Sequence, residues 1–382
     1  MRKSIGRTTR VRTCASMIGV ATVLVPTLVF SAIFENLYTI TIPLNPQVAR
    51  PQVLRTDADF DRFAMGELLI RITGQRDAPA PPPPRYPGLG GGGGGGGGAP
   101  QPALLTLVRD AGRYVVQRGF ADRENLLIVF DSLGLQQALT ARNQPLWGEE
   151  RPLTLLWVAI DGGPGERGIL AASPSPVPGS ETVEAAAAAL REELLAAANQ
   201  RGLPISLPLM DVQDLNSVNF IDVWGNFSER LNNASERYAP DAVLSGRIRL
   251  GEEGIETAQW TLLRGGNLRT LPGVAVRSGL DDLADLYALE FSGIGGATST
   301  RLVVSGIESL DDYGRVMSYL ESLSVLQSVQ LEQLVDTEMT LRVEARGGAL
   351  VLNRVLALGD VLSRSSAGGD EIGGELIYSL TR

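Results

Sequence analysis

The chain has 382 residues, 44% hydrophobic and 20% charged, and its 43 acidic and 34 basic residues give a formal net charge of −9. Lys3 is the only lysine, Cys14 is the only cysteine, and the sequence contains no histidine. These counts exclude a disulfide framework, Ser-His-Asp and Cys-His nucleophiles, Walker-type lysine loops, and zinc sites built from histidine or several cysteines. The acidic balance also argues against nucleic acid as a partner, because an acidic surface repels phosphate backbones.

The N-terminal residues have the order of a secretory signal. Five positive residues lie within the first twelve positions, an apolar run follows at Ala15–Phe34, and Val29 and Ser31 suit the −3 and −1 positions of a cleavage site. We therefore predict a signal peptide over residues 1–31 and a periplasmic or cell-envelope location. The alternative is an inner-membrane anchor facing the periplasm. Residues 15–34 approach the roughly 20 residues that span a bilayer and, if uncleaved, are the only predicted contact with the membrane.

The next segment, 33–150, predicts an N-terminal module with both helix and strand. Alternating residues from Leu37 to Leu44 indicate a strand, and an apolar stripe along Asp57–Thr73 indicates an amphipathic helix. A Pro/Gly-rich, low-complexity insertion follows at 77–102. We predict disorder there, because it holds too little apolar surface to offset the entropy of ordering. The remaining predicted elements are two strands and a helix, at Arg113–Phe120, Asn125–Ser132 and Gly134–Arg142.

Residues 151–298 predict a small α/β layer. A continuous apolar strand comes first, an alanine-rich helix follows it, and a hairpin and a helix come at the end. The predicted bounds are strand Leu153–Ile160, helix Ser180–Arg201, strand Leu203–Met210, one or two helices in Asn219–Tyr238, hairpin strands Asp241–Leu250 and Glu256–Arg264, and helix Asp281–Phe291.

The last module, 299–382, has the strand-helix-strand-strand-helix-strand order of a ferredoxin-like split βαβ unit. Ser309 and Asp312 form a capping pair ahead of its first helix. The predicted elements are strand Arg301–Ile307, that helix, strands Leu326–Leu334 and Glu338–Ala345, helix Ala349–Ala357 and strand Glu375–Leu380. The whole chain is thus predicted to be a mixed α+β and α/β protein of three small modules.

Two motifs resemble ligand sites but are better explained structurally. Gly163-Pro-Gly165-Glu-Arg-Gly168 has the spacing of a dinucleotide-binding loop, yet prolines at 174, 176 and 178 prevent a helix from starting behind it, so we predict a turn. Asp281, Asp282 and Asp285 resemble a magnesium-diphosphate motif, but acids are favoured in a first helical turn anyway. We predict no cofactor, no metal ligand and no catalytic residue.

One polar and aromatic segment is a candidate ligand or partner cleft. It contains Asn219, Asp222, Trp224 and Asn226 among apolar neighbours. The alternative is that Trp224 packs in the core, as we expect of the other three tryptophans, because buried aromatic residues usually serve packing.

Taken together, several short segments resemble the proteobacterial domain of unknown function 2066 family. The resemblance spans about Leu37 to Leu358, and the insertion departs from it. It implies an exported envelope protein and gives no activity, cofactor or catalytic residue. The segments that carry it are Leu37–Pro43, Leu69–Arg76, Trp147–Leu156, Leu207–Asp211, Asp241–Ile248, Trp260–Leu262, Val304–Ile307 and Tyr313.

These observations favour an exported protein acting as a non-catalytic binding or scaffold component of envelope assembly, with other envelope proteins as its partners. One alternative is a glycan hydrolase that uses carboxylates, which needs two carboxyl groups about 5–10 Å apart in an open cleft. Another is a small-ligand binding protein with its pocket near Trp224.

Overall fold

The computed structural model describes residues 36–44, 54–76, 102–174, 181–252, 254–294, 297–364 and 375–381. The predicted signal peptide and nearly all of the predicted insertion lie outside these ranges. Helices and three separate sheets make up the described chain, so the mixed class expected from the sequence is confirmed. None of the helices within these ranges is both long and apolar enough to cross a membrane.

The N-terminal unit is a three-stranded antiparallel sheet packed on helices. Its strands lie in the order β1-β3-β2. Helix α1 has the bounds predicted from its apolar stripe. It starts at a capping box between Thr56 and Asp59 and ends at Gly74 in the left-handed conformation. The elements are β1 Thr39–Pro43, α1 Asp57–Thr73, α2 Pro102–Arg109, β2 Val115–Phe120, β3 Asn125–Phe130 and α3 Ser132–Ala141.

The central unit is a mixed sheet with helices on both faces. Strands β5, β4, β7, β8 and β9 lie in that order. Strands β5 and β6 share one edge of β4, where β5 pairs with its C-terminal end and β6 with its N-terminal end. Its elements are β4 Thr154–Asp161, β5 Arg167–Ile169, α4 Glu181–Arg201, β6 Ile205–Ser206, α5 Val212–Ser217, α6 Phe220–Trp224, α7 Ser228–Ser235, β7 Ala242–Gly251, β8 Gly254–Arg264, β9 Asn267–Leu271 and α8 Val276–Phe291.

Side-chain alternation along β4 divides the two faces of this sheet. Leu156 and Val158 belong to the large cluster that contains α4 and α8, whereas Leu155 and Trp157 pack with α6 and α7. The predicted strand at 203–210 shrinks to the two residues of β6, because Pro204 and Pro208 have no N–H to donate to a ladder.

Trp260 anchors α8 to the sheet. Its fully buried indole lies between two glycines, since a Cβ on Gly246 or on Gly279 would come within 2.6 Å of the ring. The indole Nε1 donates to the carbonyl of Ala275, just before α8 begins. Trp147 and Trp157 are also fully buried, so the expectation that these three tryptophans serve packing is confirmed.

Of the two motifs that resemble ligand sites, the glycine motif has the predicted structure and the aspartate motif does not. Residues 162–166 form the tight turn between β4 and β5, as predicted. The three aspartates do not lie in a first helical turn, because α8 begins at Val276. Asp281 and Asp285 instead pair with the buried Arg201, so ion pairing and not the helix dipole explains them.

The C-terminal unit has the predicted element order with one addition. Its sheet order is β11-β12-β10-β14-β13. In a regular split βαβ unit the fourth strand lies next to the first strand and runs antiparallel to it. Here β14 runs parallel to β10, because the additional strand β13 turns the chain round first. The elements are β10 Ala297–Ser305, α9 Leu310–Ser322, β11 Leu326–Val335, β12 Glu338–Arg346, α10 Gly348–Leu356, β13 Leu362–Arg364 and β14 Glu375–Leu380.

Three buried arginines join the N-terminal unit to the central one. Arg71 on α1 donates to the carbonyl of Thr39 and to the Oδ1 of Asn199 on α4, and Arg201 donates to the carbonyl of Gly74. Arg151, between the units, binds carbonyls at the ends of both helices. One hydrophobic cluster continues from the central unit into the C-terminal unit. The three units therefore share interfaces that are as buried as their cores.

Tyr287 gives this fold a test at alkaline pH. Its hydroxyl lies 3.0 Å from the Oγ1 of Thr154, and burial raises its pKa to about 12. Because the folded pKa exceeds the ordinary value of 10.0, the tyrosine stabilises the fold fully below pH 10 and loses this contribution as the pH rises towards 12. We expect the urea midpoint to fall above pH 10, and to fall less steeply in Tyr287→Phe. Parallel curves for the two proteins would contradict this assignment.

Candidate functional site

The residues predicted for the cleft lie on and beside α6, on the sheet face opposite α4 and α8. Asn219 caps this helix, accepting from the backbone N–H of Ile221 and Asp222, while the Asp222 carboxylate accepts from the backbone N–H of Asn219. Asp222 is buried and also pairs with Arg230 at 3.2 Å. Both side chains are therefore engaged in capping the helix.

Asn226 differs, because one of its polar atoms has no partner. Its backbone is left-handed, with φ of 53°, a conformation that asparagine tolerates better than most residues. The Nδ2 atom donates to Thr261 on β8 at 3.1 Å. The Oδ1 atom is buried and has no hydrogen-bond partner among the residues that the structure describes.

Trp224 is half-buried and belongs to a group of rings and guanidinium groups that we call the arginine–aromatic cluster: Arg167, Phe220, Trp224, Arg247 and Arg249. The two rings stack with centroids 5.4 Å apart and planes at 20°. Arg167 lies over Phe220 at 5.3 Å and Arg249 over Trp224 at 5.9 Å, within the range of cation–π attraction. Trp224 is thus neither free nor enclosed in an apolar core.

The backbone register explains why these arginines meet. Asp161 on β4 pairs with Arg167 on β5 and with Arg249 on β7, so the three side chains form one row across the sheet. Arg247 lies two residues before Arg249 and shares its face. Its Nη1 donates to the carbonyl of Trp224 at 3.4 Å, which ties the strand to the end of α6.

The cluster carries net positive charge in an acidic protein. Asp161 neutralises Arg167 at 3.2 Å. Arg247 and Arg249, in contrast, form no ion pair with any carboxylate of the described ranges, and the Nε of Arg247 is buried without a hydrogen-bond partner there. The cluster therefore offers two guanidinium groups for an anion.

Of this cluster, only Trp224 was predicted from the sequence, and its arginines were not. A signal was present, since Gly246-Arg-Ile-Arg249 places two arginines on one face of a predicted strand. What the sequence could not show is that β5 and α6 bring Arg167 and the rings to the same place.

A second polar group joins the start of α5 to the residues that follow α7. Arg237 donates to both Asp211 and Asp214, and the Tyr238 hydroxyl donates to Asp214. The hydrogen bond from Arg237 lowers the pKa of Asp211 to about 2. An open depression beside them is lined by Asp211, Val212, Gln213, Asn216 and Ser217.

This carboxylate pair does not have the electrostatics of a glycosidase site. Such a site needs one carboxyl group that keeps its proton near neutral pH. Asp211 is held ionised by Arg237, which also pairs with Asp214 at 3.0 Å. Within the described ranges, no group of three or more Cys, Asp or Glu side chains could hold a metal ion.

The outer side of the α5–α7 layer carries exposed apolar side chains. On and beside α6, Ile221 is 64% exposed and Phe227 is 49% exposed, and the Phe227 ring lies against Gly225 and close to the carbonyl of Ile221. We call these two residues the apolar ridge. Val212 and Leu215 on α5 are also exposed, as is Leu209 in the loop before it.

Comparison with protein families, with curated proteins and with solved structures finds no match for this chain. The resemblance to the 2066 family therefore stays a prediction from short segments of the sequence.

Proposed function

We propose that the protein is an exported, non-catalytic binding component of the bacterial cell envelope, and that it holds a partner protein at the α5–α7 layer. The observation that carries this proposal is the apolar ridge beside the arginine–aromatic cluster. Exposed apolar residues that group on one surface, next to charged and polar ones, are typical of protein interaction sites.

The rest of the fold supports this role. Arg71, Arg151 and Arg201 bind the N-terminal unit to the central one, and the shared cluster binds the central unit to the last. Because the three units are joined in this way, they hold the α5–α7 layer rigidly. Binding of a partner to a rigid surface loses less conformational entropy than binding to a flexible one.

Site-specific photo-crosslinking in the native host tests the proposal. A photoreactive residue replaces Ile221 or Phe227 in turn, and replaces Leu310 as the control, because Leu310 is 83% exposed at the start of α9, far along the chain from the α5–α7 layer. We expect one discrete crosslinked protein at Ile221 and Phe227 and none at Leu310. Equal products at all three positions, or none at any, would contradict a binding surface here.

The same material distinguishes the alternatives from the sequence. A mature N-terminus at Ala32 or Ile33 supports export with cleavage, and an intact Met1 supports an anchored protein. Release of sugar from isolated envelope glycan by the purified protein would favour the carboxylate-dependent hydrolase and overturn a non-catalytic role.

A further inference from the structure

We propose that the arginine–aromatic cluster recognises an acidic peptide segment of the partner, with a side-chain carboxylate bound between Arg247 and Arg249. This inference rests on the proposed function and specifies its chemistry. Guanidinium groups bind carboxylates through charge-assisted, often bidentate hydrogen bonds, which makes arginine the usual residue for this recognition.

The charge of the two arginines favours an acidic ligand. Arg247 and Arg249 lie side by side on one face of β7 with no carboxylate of the described chain in ion-pairing distance, on a protein whose formal net charge is −9. Beside them, Asp161 is already bound by Arg167. Such a surface repels an acidic segment over much of its area, whereas two neighbouring arginines without ion pairs attract it, which favours binding at this place.

Contacts with α6 orient the two guanidinium groups. Trp224 lies under Arg249 and its carbonyl accepts from Arg247, so both guanidinium groups are held against the end of α6. Two polar side chains on β8, Thr257 and Gln259, lie opposite Arg249 and Arg247 in the antiparallel register and are exposed. A ligand bound there meets hydrogen-bonding groups on two neighbouring strands.

Two buried atoms without partners favour a peptide over a simple anion. One is a donor of the cluster, the Nε of Arg247, and the other is an acceptor, the Oδ1 of Asn226, two residues after Trp224. A peptide that reaches these atoms supplies a carboxylate or carbonyl for the first and an N–H for the second, whereas an anion without a proton, such as sulfate or acetate, offers acceptors only. The apolar ridge, on the same helix and the residues after it, fits an apolar residue next to the acid.

Fluorescence anisotropy with a labelled peptide of alternating glutamate and leucine tests this inference on the full mature chain. We expect the double variant Arg247→Gln and Arg249→Gln to weaken binding at least tenfold, and the affinity of the unaltered protein to fall as salt rises. The matched control is Arg269→Gln with Arg315→Gln. It removes the same charge from two exposed arginines elsewhere, and we expect less than a twofold change. Circular dichroism melting of both double variants checks that each is folded.

The competing outcomes overturn the inference in different ways. Equal weakening in both double variants would mean that only net charge matters. Binding of polygalacturonate but not of the peptide, with the same dependence on Arg247 and Arg249, would assign the cluster to an acidic saccharide. If the peptide does not bind but a photoreactive residue at Ile221 still crosslinks one protein, the inference of acidic peptide recognition is wrong and the proposed function stands.

Discussion

Replacing Arg151 with methionine is expected to lower the free energy of unfolding by about 4 kcal/mol or more, which corresponds to a melting temperature lower by about 5 °C. The guanidinium of Arg151 is fully buried and donates to five backbone carbonyls, at distances of 2.7–3.3 Å, while it lies 3.9 Å from the centre of the Trp147 ring. Methionine fills part of the volume but leaves those carbonyls without this donor in a site that excludes water.

The position of these carbonyls makes the loss larger. Two of them, on Arg201 and Gly202, lie at the end of α4, and another, on Arg71, lies near the end of α1. The last carbonyls of a helix have no partner within the helix and carry its negative dipole end, so a cation is favoured there. Arg151 thus donates hydrogen bonds to the C-terminal ends of two helices, α1 and α4, that belong to different units.

Two comparison variants make this prediction specific. Arg191→Met on α4 removes a guanidinium whose Nε donates to the carbonyl of Ala171, and we expect a cost of about 1 kcal/mol. Arg151→Lys keeps the charge but cannot reach carbonyls in five directions, and we expect it to recover less than half of the loss. Denaturation followed by circular dichroism measures all three. Similar costs for Arg151→Met and Arg191→Met would show that Arg151 is not a junction.

Gly74→Ala is expected to cost about 3 kcal/mol for two separate reasons. Gly74 ends α1 with φ of 70°, a left-handed conformation that costs an alanine roughly 1–2 kcal/mol. A Cβ at this position would also lie 2.1 Å from the Cβ of Ala288 on α8, and overpacking of this kind typically costs about 1–3 kcal/mol. The substitution therefore disturbs both the helix end and its contact with the central unit.

A double-mutant cycle with Ala288→Gly separates the two causes. Removing the Cβ of Ala288 relieves the collision but not the backbone strain, so we expect a favourable coupling of at least about 1 kcal/mol between the two substitutions. Gly314→Ala is the control. Nothing lies within 4 Å of its added Cβ and it sits inside α9, so we expect it to stabilise the protein by up to about 1 kcal/mol. Additive effects of Gly74→Ala and Ala288→Gly would mean that α1 and α8 are not in contact here.

The sequence predicted best those elements whose signal is local. The apolar stripe of Asp57–Thr73 predicted that helix to the residue, and the predicted hairpin strands Asp241–Leu250 and Glu256–Arg264 agree with β7 and β8 to within two residues. The short edge strands β9 and β13 were missed, because a few exposed residues show no periodicity that distinguishes them from a loop. The parallel pairing of β14 with β10 depends on β13 and was missed with it.

The candidate site was predicted only in part for a related reason. Asn219, Asp222, Trp224 and Asn226 are neighbours in sequence, and the structure shows that two of them form a helix cap. The arginines that give the site its charge come from β5 and β7, and only the register of three strands brings them to α6. Equally, no local pattern shows that Arg151 binds carbonyls of residues 71 and 201.

The arginine junction has a consequence for how the protein acquires its structure. Arg71 binds Asn199, 128 positions later in the chain, and Arg151 binds the carbonyl of Gly202, so the first unit lacks part of its interior until α4 has formed. The hydrophobic cluster then extends into residues beyond 300. Native contacts between such distant positions slow folding, because the chain must close large loops before they form. A chain that emerges N-terminus first therefore stays incomplete, and open to chaperones and proteases, until almost its whole length is available.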